Sequence, residues 1–228
     1  MIRLALDTAT EACSVALGVG EAVHERWIEA PREHGDRVLG MIDDVLAEAG
    51  VARSAIDVIA FGRGPGAFTG VRIAAGLVQG IASGLDRPVV PVSTLAAIAQ
   101  GVYRRSGHER IAAAIDARMG EVYWEPCRLA DAGAMVPVVE ACVAAPAGVP
   151  VPPGGGWVGA GTGWERYPGV LAERLGDALV RDLGRALPAA RDMLPIADAA
   201  IAAGHTLAPE DALPVYLRDR VAERPRQR

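Results

Sequence analysis

The sequence predicts an α/β protein built from two related halves, each a mixed sheet flanked by helices. Three observations carry this. Short apolar runs joined by tight turns open the chain. The apolar period then changes from that of strands to that of a helix. The same order of elements recurs, at low identity, from residue 110 onward.

In order along the chain, IRLALD (2–7) is apolar and ends on Asp7, CSVALGV (13–19) follows a short turn, and EAVHERWIE (21–29) alternates after Gly20. Three such runs predict an antiparallel meander. From Asp36 to Ala49 the apolar residues Val38, Leu39, Met41, Ile42, Val45 and Leu46 recur at the spacing of one helix face, and Gly50 supplies the stop. AIDVIAFG (55–62) predicts a buried strand. After a glycine-rich loop come a helix from about Thr69 to Ser83, a strand RPVVPV (87–92) and a helix from about Ser93 to Tyr103.

RIAAAIDARMGEVYWEPC (110–127) can be set against the opening IRLALDTATEACSVALGV: each has an apolar strand ending in aspartate, Asp7 or Asp116, then a turn and a second strand near a cysteine. VPVVEACV (136–143) predicts the third strand, APAGVPVPPGGG (145–156) a loop, WVGAGTGW (157–164) a strand turning into a helix, and 187–203 a last helix. A three-strand meander followed by βαβα, twice over, is the pattern of the actin-like/hexokinase-like ATPase (ASKHA) fold, a duplicated ribonuclease-H-like unit. The predicted halves are residues 1–104 and 105–228, the second ending in a short basic tail.

Composition removes several classes of function. No apolar run reaches the roughly 18–20 residues of a membrane-spanning helix, and MIRLALDTAT lacks the features of a signal peptide, so a cytoplasmic location is expected. The net charge of −5 argues against a chain that grips nucleic acid alone. All 23 basic residues are arginine, which excludes mechanisms that need a lysine amine. Cys13, Cys127 and Cys142 are few and far apart, a pattern of buried thiols without zinc spacing. No G-x-S-x-G elbow occurs among the five serines, and none of the four histidines stands four residues from another.

The loop FGRGPGAFTG (61–70) formally matches a dinucleotide-binding glycine pattern, but Pro65 interrupts it and no acidic residue ends the following strand. It has no Walker A lysine. What remains is a tight turn, with Thr69 able to cap the helix beyond it and a weak anion site at that N-terminus. That helix carries Gly76, Gly80 and Gly84 at a spacing of four, flanked by Ile73, Leu77 and Ile81. Interior glycine costs about 1 kcal/mol relative to alanine. The stripe serves either close packing on the protein's own sheet or a helix contact with another chain. Asp7, followed by Thr8, Ala9 and Thr10, is either a turn residue or the remnant of a nucleotide site; the turn lacks the usual glycine.

LALDTAT, CSVAL, GPGAFTGVRIA, IDARMGEVY, VGAGTGW and PVYLRDRVA together resemble the bacterial TsaB (YeaZ) family, from residue 2 to about 222. The resemblance implies the dimerization subunit of the complex that makes threonylcarbamoyladenosine in tRNA. It implies a non-catalytic paralogue of TsaD, the subunit that transfers the threonylcarbamoyl group. TsaD-like chains carry a His-x-x-x-His metal pair; in PVVPVSTLAAIAQ (88–100) the ligand positions fall on Thr94 and Ile98, and the acidic position on Ala96. Hydroxyl and alkyl groups cannot replace two imidazoles, so neither a catalytic metal nor a cofactor is expected, and a metalloprotease reading has no support. The resemblance further implies pairing with TsaD through the two helices of the first half, or self-pairing by the same surface, and recruitment of the ATPase TsaE. The expected partner face is Val38, Leu39, Ile42, Val45, Leu46, Ile73, Gly76, Leu77, Gly80 and Ile81, with tRNA reached only through the complex. The competing reading is a small-molecule kinase of the same superfamily. The five tail arginines, Arg218, Arg220, Arg224, Arg226 and Arg228, are either solvated or contact tRNA phosphates.

Overall fold

A computed structural model describes residues 1–218. The first sheet comprises β1 (Ile2–Asp7), β2 (Ala12–Val19), β3 (Ala22–Glu29), β4 (Val58–Gly64) and β5 (Val89–Ser93), in the order β3-β2-β1-β4-β5. Between them lie α1 (His34–Ala49) and α2 (Phe68–Leu85), and α3 (Thr94–Ser106) follows β5. The meander is antiparallel, whereas β1, β4 and β5 run parallel. Each element predicted in the first half is present. Ala55 belongs to a 3-10 turn at Arg53–Ala55, so β4 begins three residues later than predicted, at Val58.

The second sheet repeats this order. It holds β6 (Arg110–Arg118), β7 (Glu121–Leu129), β8 (Met135–Pro137), β10 (Trp157–Ala160) and β11 (Leu179–Asp182) in the order β11-β10-β6-β7-β8, with β9 (Cys142–Ala144) also paired to β7. The duplicated topology is that of the actin-like/hexokinase-like ATPase fold. The single third strand predicted at 136–143 is two short strands, and β11 lies in a stretch for which the sequence pattern predicts no strand. Two short helices, α4 (Thr162–Arg166) and α5 (Pro168–Leu175), follow β10, and α6 (Ala190–Ala202) follows β11.

Strand alternation decides which side chains meet which helix. On β1, Leu4 and Leu6 join Leu17, Ile59 and Phe61 under α1 and α2. Ala5 points the other way, with Ala16, Ala60, Val90 and Val92, toward Met193 and Leu194 of α6. The second sheet meets α3 through Ile111, Ala113 and Ile115. Packing therefore departs from chain order: α3 of the first half covers the second sheet, and α6 of the second half covers the first. The two helices are joined by a bidentate pair in which Arg104 donates to the buried Asp192 at 2.6 and 3.1 Å. The chain then returns along the first sheet, where Val89 and Leu207 exchange two 2.9 Å backbone bonds and Val215 N–H donates to Arg63 O at 2.8 Å.

Candidate functional site

The loop at 61–70 explains its glycines by what lies against them. A Cβ on Gly66 would overlap the Ala9 carbonyl, one on Gly70 the Thr8 carbonyl, and one on Gly62 the Asp7 carboxylate. Absence of side chains lets the loop seat backbone to backbone on the β1–β2 turn. Ala67 N–H donates to Ala9 O at 2.7 Å, and Thr8 Oγ1 donates to Gly70 O at 2.7 Å. Gly64 has φ of 99°, and the Gly64–Pro65 peptide is cis. The predicted capping by Thr69 is not what occurs: α2 begins at Phe68, its N-cap is Ala67, and no side chain caps it.

The three residues read as a nucleotide-site remnant are buried beside this loop, and Thr8 alone of them bonds to it. Asp7 is wholly buried, and its carboxylate accepts Ala9 N–H at 2.8 Å and the Thr94 hydroxyl at 3.2 Å. Burial lifts its pKa from 3.8 to about 6, against the pull of those two hydrogen bonds. Thr8 is buried, and Thr10 accepts Ala12 N–H at 3.2 Å. Asp116, the counterpart of Asp7, instead pairs with Arg118 at 3.1 Å. Burial also raises the pKa values of Cys13, to about 11, and of Glu125, whose carboxylate accepts the Ser93 hydroxyl. Of the positions aligned with the metal pair, Thr94 is engaged with Asp7, and Ile98 lies in the second-sheet core. No group of three or more metal-ligating side chains occurs among the described residues.

The ten residues of the expected partner face separate into two sets. Val38, Ile42, Val45 and Leu46 are buried in the first-sheet core, so they support α1 from beneath and cannot line a contact. The reason is physical: helical hydrophobic periodicity marks the side that faces the protein's own sheet. Leu39, 48% exposed, stands outward. On α2, Ile73, Leu77 and Ile81 are half-buried at the margin of the core, and Gly76 and Gly80 are exposed. A Cβ at Gly76, Gly80 or Gly84 would meet nothing within 4 Å, and the same holds at Gly40 of α1. The stripe is therefore not packed on this chain's own sheet. It continues toward the N-terminus at the same spacing through Arg72 and Phe68, whose guanidinium and ring centroid lie 3.3 Å apart. On length and composition alone α2 could cross a bilayer, but its buried side sits on the first sheet.

Comparison with known proteins places these features. The family model of TsaD, tRNA N6-adenosine threonylcarbamoyltransferase, matches residues 28–225. The chain is 46% identical to the tRNA threonylcarbamoyladenosine biosynthesis protein TsaB of Escherichia coli K12, across 96% of this chain and 95% of that one. The chain belongs to the TsaB (YeaZ) family. The TsaB of Haemophilus influenzae is 40% identical over 96% of this chain and 94% of its own. The solved structure described as YeaZ from Pseudomonas aeruginosa is 51% identical, covers 95% of this chain and 99% of its own, and superposes with a TM-score of 0.87.

Within this TsaB-family chain, periodicity misses a second feature. A cavity of about 470 Å³ lies between the halves, where the β1–β2 turn, the starts of α1 and α2, the end of β6 and residues 215–218 converge. His34 borders this cavity and is only 7% exposed. The available sequence signal was the glycine loop, which marks where backbone segments crowd together. Of the tail arginines, Arg218 reaches Glu121 and the cavity; Arg220, Arg224, Arg226 and Arg228 lie outside the described residues.

Proposed function

We propose that this chain is a non-catalytic scaffold and activator of tRNA adenosine threonylcarbamoylation, acting by pairing with a TsaD-like catalytic subunit through the outer faces of α1 and α2. The observation that carries the reading is the glycine stripe. Interior glycines destabilise a helix by about 1 kcal/mol each, and at Gly76, Gly80 and Gly84 the chain gains no contact of its own in return. Bare backbone beside Leu39, Ile73 and Leu77 suits close approach by a partner helix. The E. coli and H. influenzae relatives, named for threonylcarbamoyladenosine biosynthesis, supply the pathway. In this reading the chain is cytoplasmic, carries no metal or nucleotide of its own, can self-pair by the same face, and meets tRNA and a TsaE-like ATPase only in the complex.

Against the alternative of a small-molecule kinase, the buried Asp7 is turned to Ala9 and Thr94. Replacing Gly80 by phenylalanine is the test. The variant should fold with a melting temperature no lower than that of its parent, because Gly80 faces open space, and should lose co-purification with a TsaD-like subunit. Retained pairing would overturn the assignment of this face. Tight Mg-ATP binding with turnover by the isolated chain, measured by calorimetry, would favour the kinase.

A further inference from the structure

The proposed partner face takes up one side of the first sheet, and alternation along β3 leads to the other. His24 and Arg26 turn toward α1 and reach Glu48 at 2.9 and 2.7 Å. Glu25 and Trp27 leave the opposite face. There Glu25 pairs with Arg191 of α6 at 3.6 Å, and Trp27 Nε1 donates to Pro188 O at 3.0 Å. A groove of about 430 Å³ opens on this side, between Glu25 and Trp27, the end of α3 at Arg104 and Arg105, and the chain just before α6.

Three arginines and one glutamate carry the charge of its wall, on a chain whose net charge is −5. Arg185 is tied to Glu29 and Glu165. Arg104 gives Nε and Nη2 to the buried Asp192 and keeps Nη1. Arg105 is exposed and makes no ion pair or side-chain hydrogen bond among the described residues. Glu25 faces Arg191, and burial raises its carboxyl pKa, so it offsets these cations weakly.

Trp27 supplies an aromatic wall. Its residue is 41% exposed, whereas Trp124, Trp157 and Trp164 are buried. The bond to Pro188 holds the indole in place, so its open face is presented rather than swinging free. An aromatic face beside available guanidinium groups suits a nucleotide whose base has left the stack: the ring takes the base and the cations take the phosphate. A duplex hides its bases and offers the ring nothing. The size of the groove admits one such body, within the roughly 300–1,000 Å³ of small-ligand sites.

We propose that this groove holds one unstacked nucleotide of tRNA, with its base against Trp27 and Leu187 and its phosphate on Arg105 and Arg104. That the occupant is tRNA rests on the scaffold reading, in which the chain meets tRNA in the complex. The groove and the outer faces of α1 and α2 lie on opposite sides of the first sheet, so a paired TsaD-like subunit leaves the groove open. One nucleotide is a small contact, in keeping with a chain whose net charge does not suit it to grip RNA alone.

Tryptophan fluorescence reads the site, because Trp27 is the exposed indole. Single-stranded oligoadenylate should quench the isolated chain at low salt. The same strand in duplex with oligouridylate, or adenosine monophosphate, should quench it far less. Arg105→Gln should weaken binding of the single strand and reduce the slope of log affinity against log salt by about 0.7, one phosphate contact, with an unchanged melting temperature. In the assembled pair, Trp27→Ala should weaken tRNA binding about fivefold or more, the loss of one stacked base. Trp27→Phe, which keeps a ring, should weaken it less, and none of the three variants should lose co-purification with the TsaD-like subunit. No quenching by the single strand up to about 1 mM, beyond the usual range of non-specific binding, would overturn the proposal. So would equal quenching by the duplex or the mononucleotide, or tRNA affinity unchanged in both Arg105→Gln and Trp27→Ala. Gly80→Phe separates the two readings: it leaves the groove intact, so the single strand should still quench that variant whether or not pairing survives.

Discussion

The two halves of this molecule share a plan and finish it differently. Both use glycine to seat the loop before a helix against backbone of the first strand or of the turn after it: Gly66 and Gly70 crowd Ala9 and Thr8 beyond β1 in the first half, and Gly161 and Gly163 crowd Ala114 within β6 in the second. Both sheets run in the same order. The outer layers diverge. The first half is covered by the long aliphatic helices α1 and α2, whose far side is left bare. In the second half Trp124, Trp157 and Trp164 fill the outer core, and short α4 and α5 close over it. Each indole N–H is satisfied by a backbone carbonyl: Trp164 donates to Ala112 O at 2.7 Å, Trp124 to Pro150 O at 3.1 Å and Trp157 to Pro153 O at 3.3 Å. Large aromatic volume lets the second half seal itself with little helix. The first half uses long helices, and these give it a surface on which another chain can pack.

The largest effect expected from this contrast lies in the sealed half. Trp164→Ala removes a wholly buried indole, its bond to Ala112 and its tilted contact with Trp124 at 6.2 Å. Buried Trp→Ala substitutions cost about 3–5 kcal/mol. Urea unfolding should give a loss of that size. A loss below about 1 kcal/mol, the scale of a surface change, would mean that the second half is not held by its tryptophans.

A smaller effect distinguishes the paired aspartates. Asp7 is sealed and Asp116 pairs with Arg118. Because burial raises the Asp7 pKa from 3.8 to about 6, the folded state holds its proton more tightly than the unfolded chain does. The resulting stabilisation is full below about pH 4, falls as pH rises through 6, and is gone above it. A shift of about two units corresponds to roughly 3 kcal/mol. Asp7→Asn lacks this dependence. Between pH 4 and pH 7 the parent should lose on the order of 2–3 kcal/mol relative to the variant, read from urea midpoints at each pH. A constant difference would show that Asp7 does not titrate in this window.

How much of this was legible follows the same division. Elements of the first half are long and aliphatic, so period and stop signals located β1 to α3 within a few residues. Between residues 130 and 185 the elements are short and broken by Pro and Gly, too brief for a period to register. Hence β8 and β9 merged in prediction and β11 escaped it. Periodicity also tells which side of a helix is buried without telling against what. Nothing in ARDMLPIADAAIA names the first sheet as the destination of α6. The same blindness put Val38, Ile42, Val45 and Leu46 on the partner face. The glycine stripe was visible because its spacing is unusual, but only coordinates separate glycines that crowd a neighbour from glycines that face open space. The cavity escaped notice because its wall is assembled from turns far apart in sequence.

The smallest effect is a change of sign between two kinds of glycine on one helix. Gly70 and Gly76 both lie in α2, six residues apart. At Gly70 an added methyl would overlap the Thr8 carbonyl, which the docked loop fixes in place. Gly70→Ala should therefore destabilise the fold by about 1–3 kcal/mol, as overpacking does. At Gly76 and Gly80 the methyl meets open space, and alanine removes the backbone-entropy penalty of glycine. Each substitution there should stabilise the isolated chain by about 0.5–1 kcal/mol, raising the melting temperature by about 2–4 °C per kcal/mol in a chain of this size. The same two methyls would hold a partner helix away from the α2 backbone. The Gly76→Ala, Gly80→Ala double variant should thus melt higher than its parent and bind a TsaD-like subunit more weakly. Higher melting with undiminished binding would show that the bare stripe is not where the partner lies.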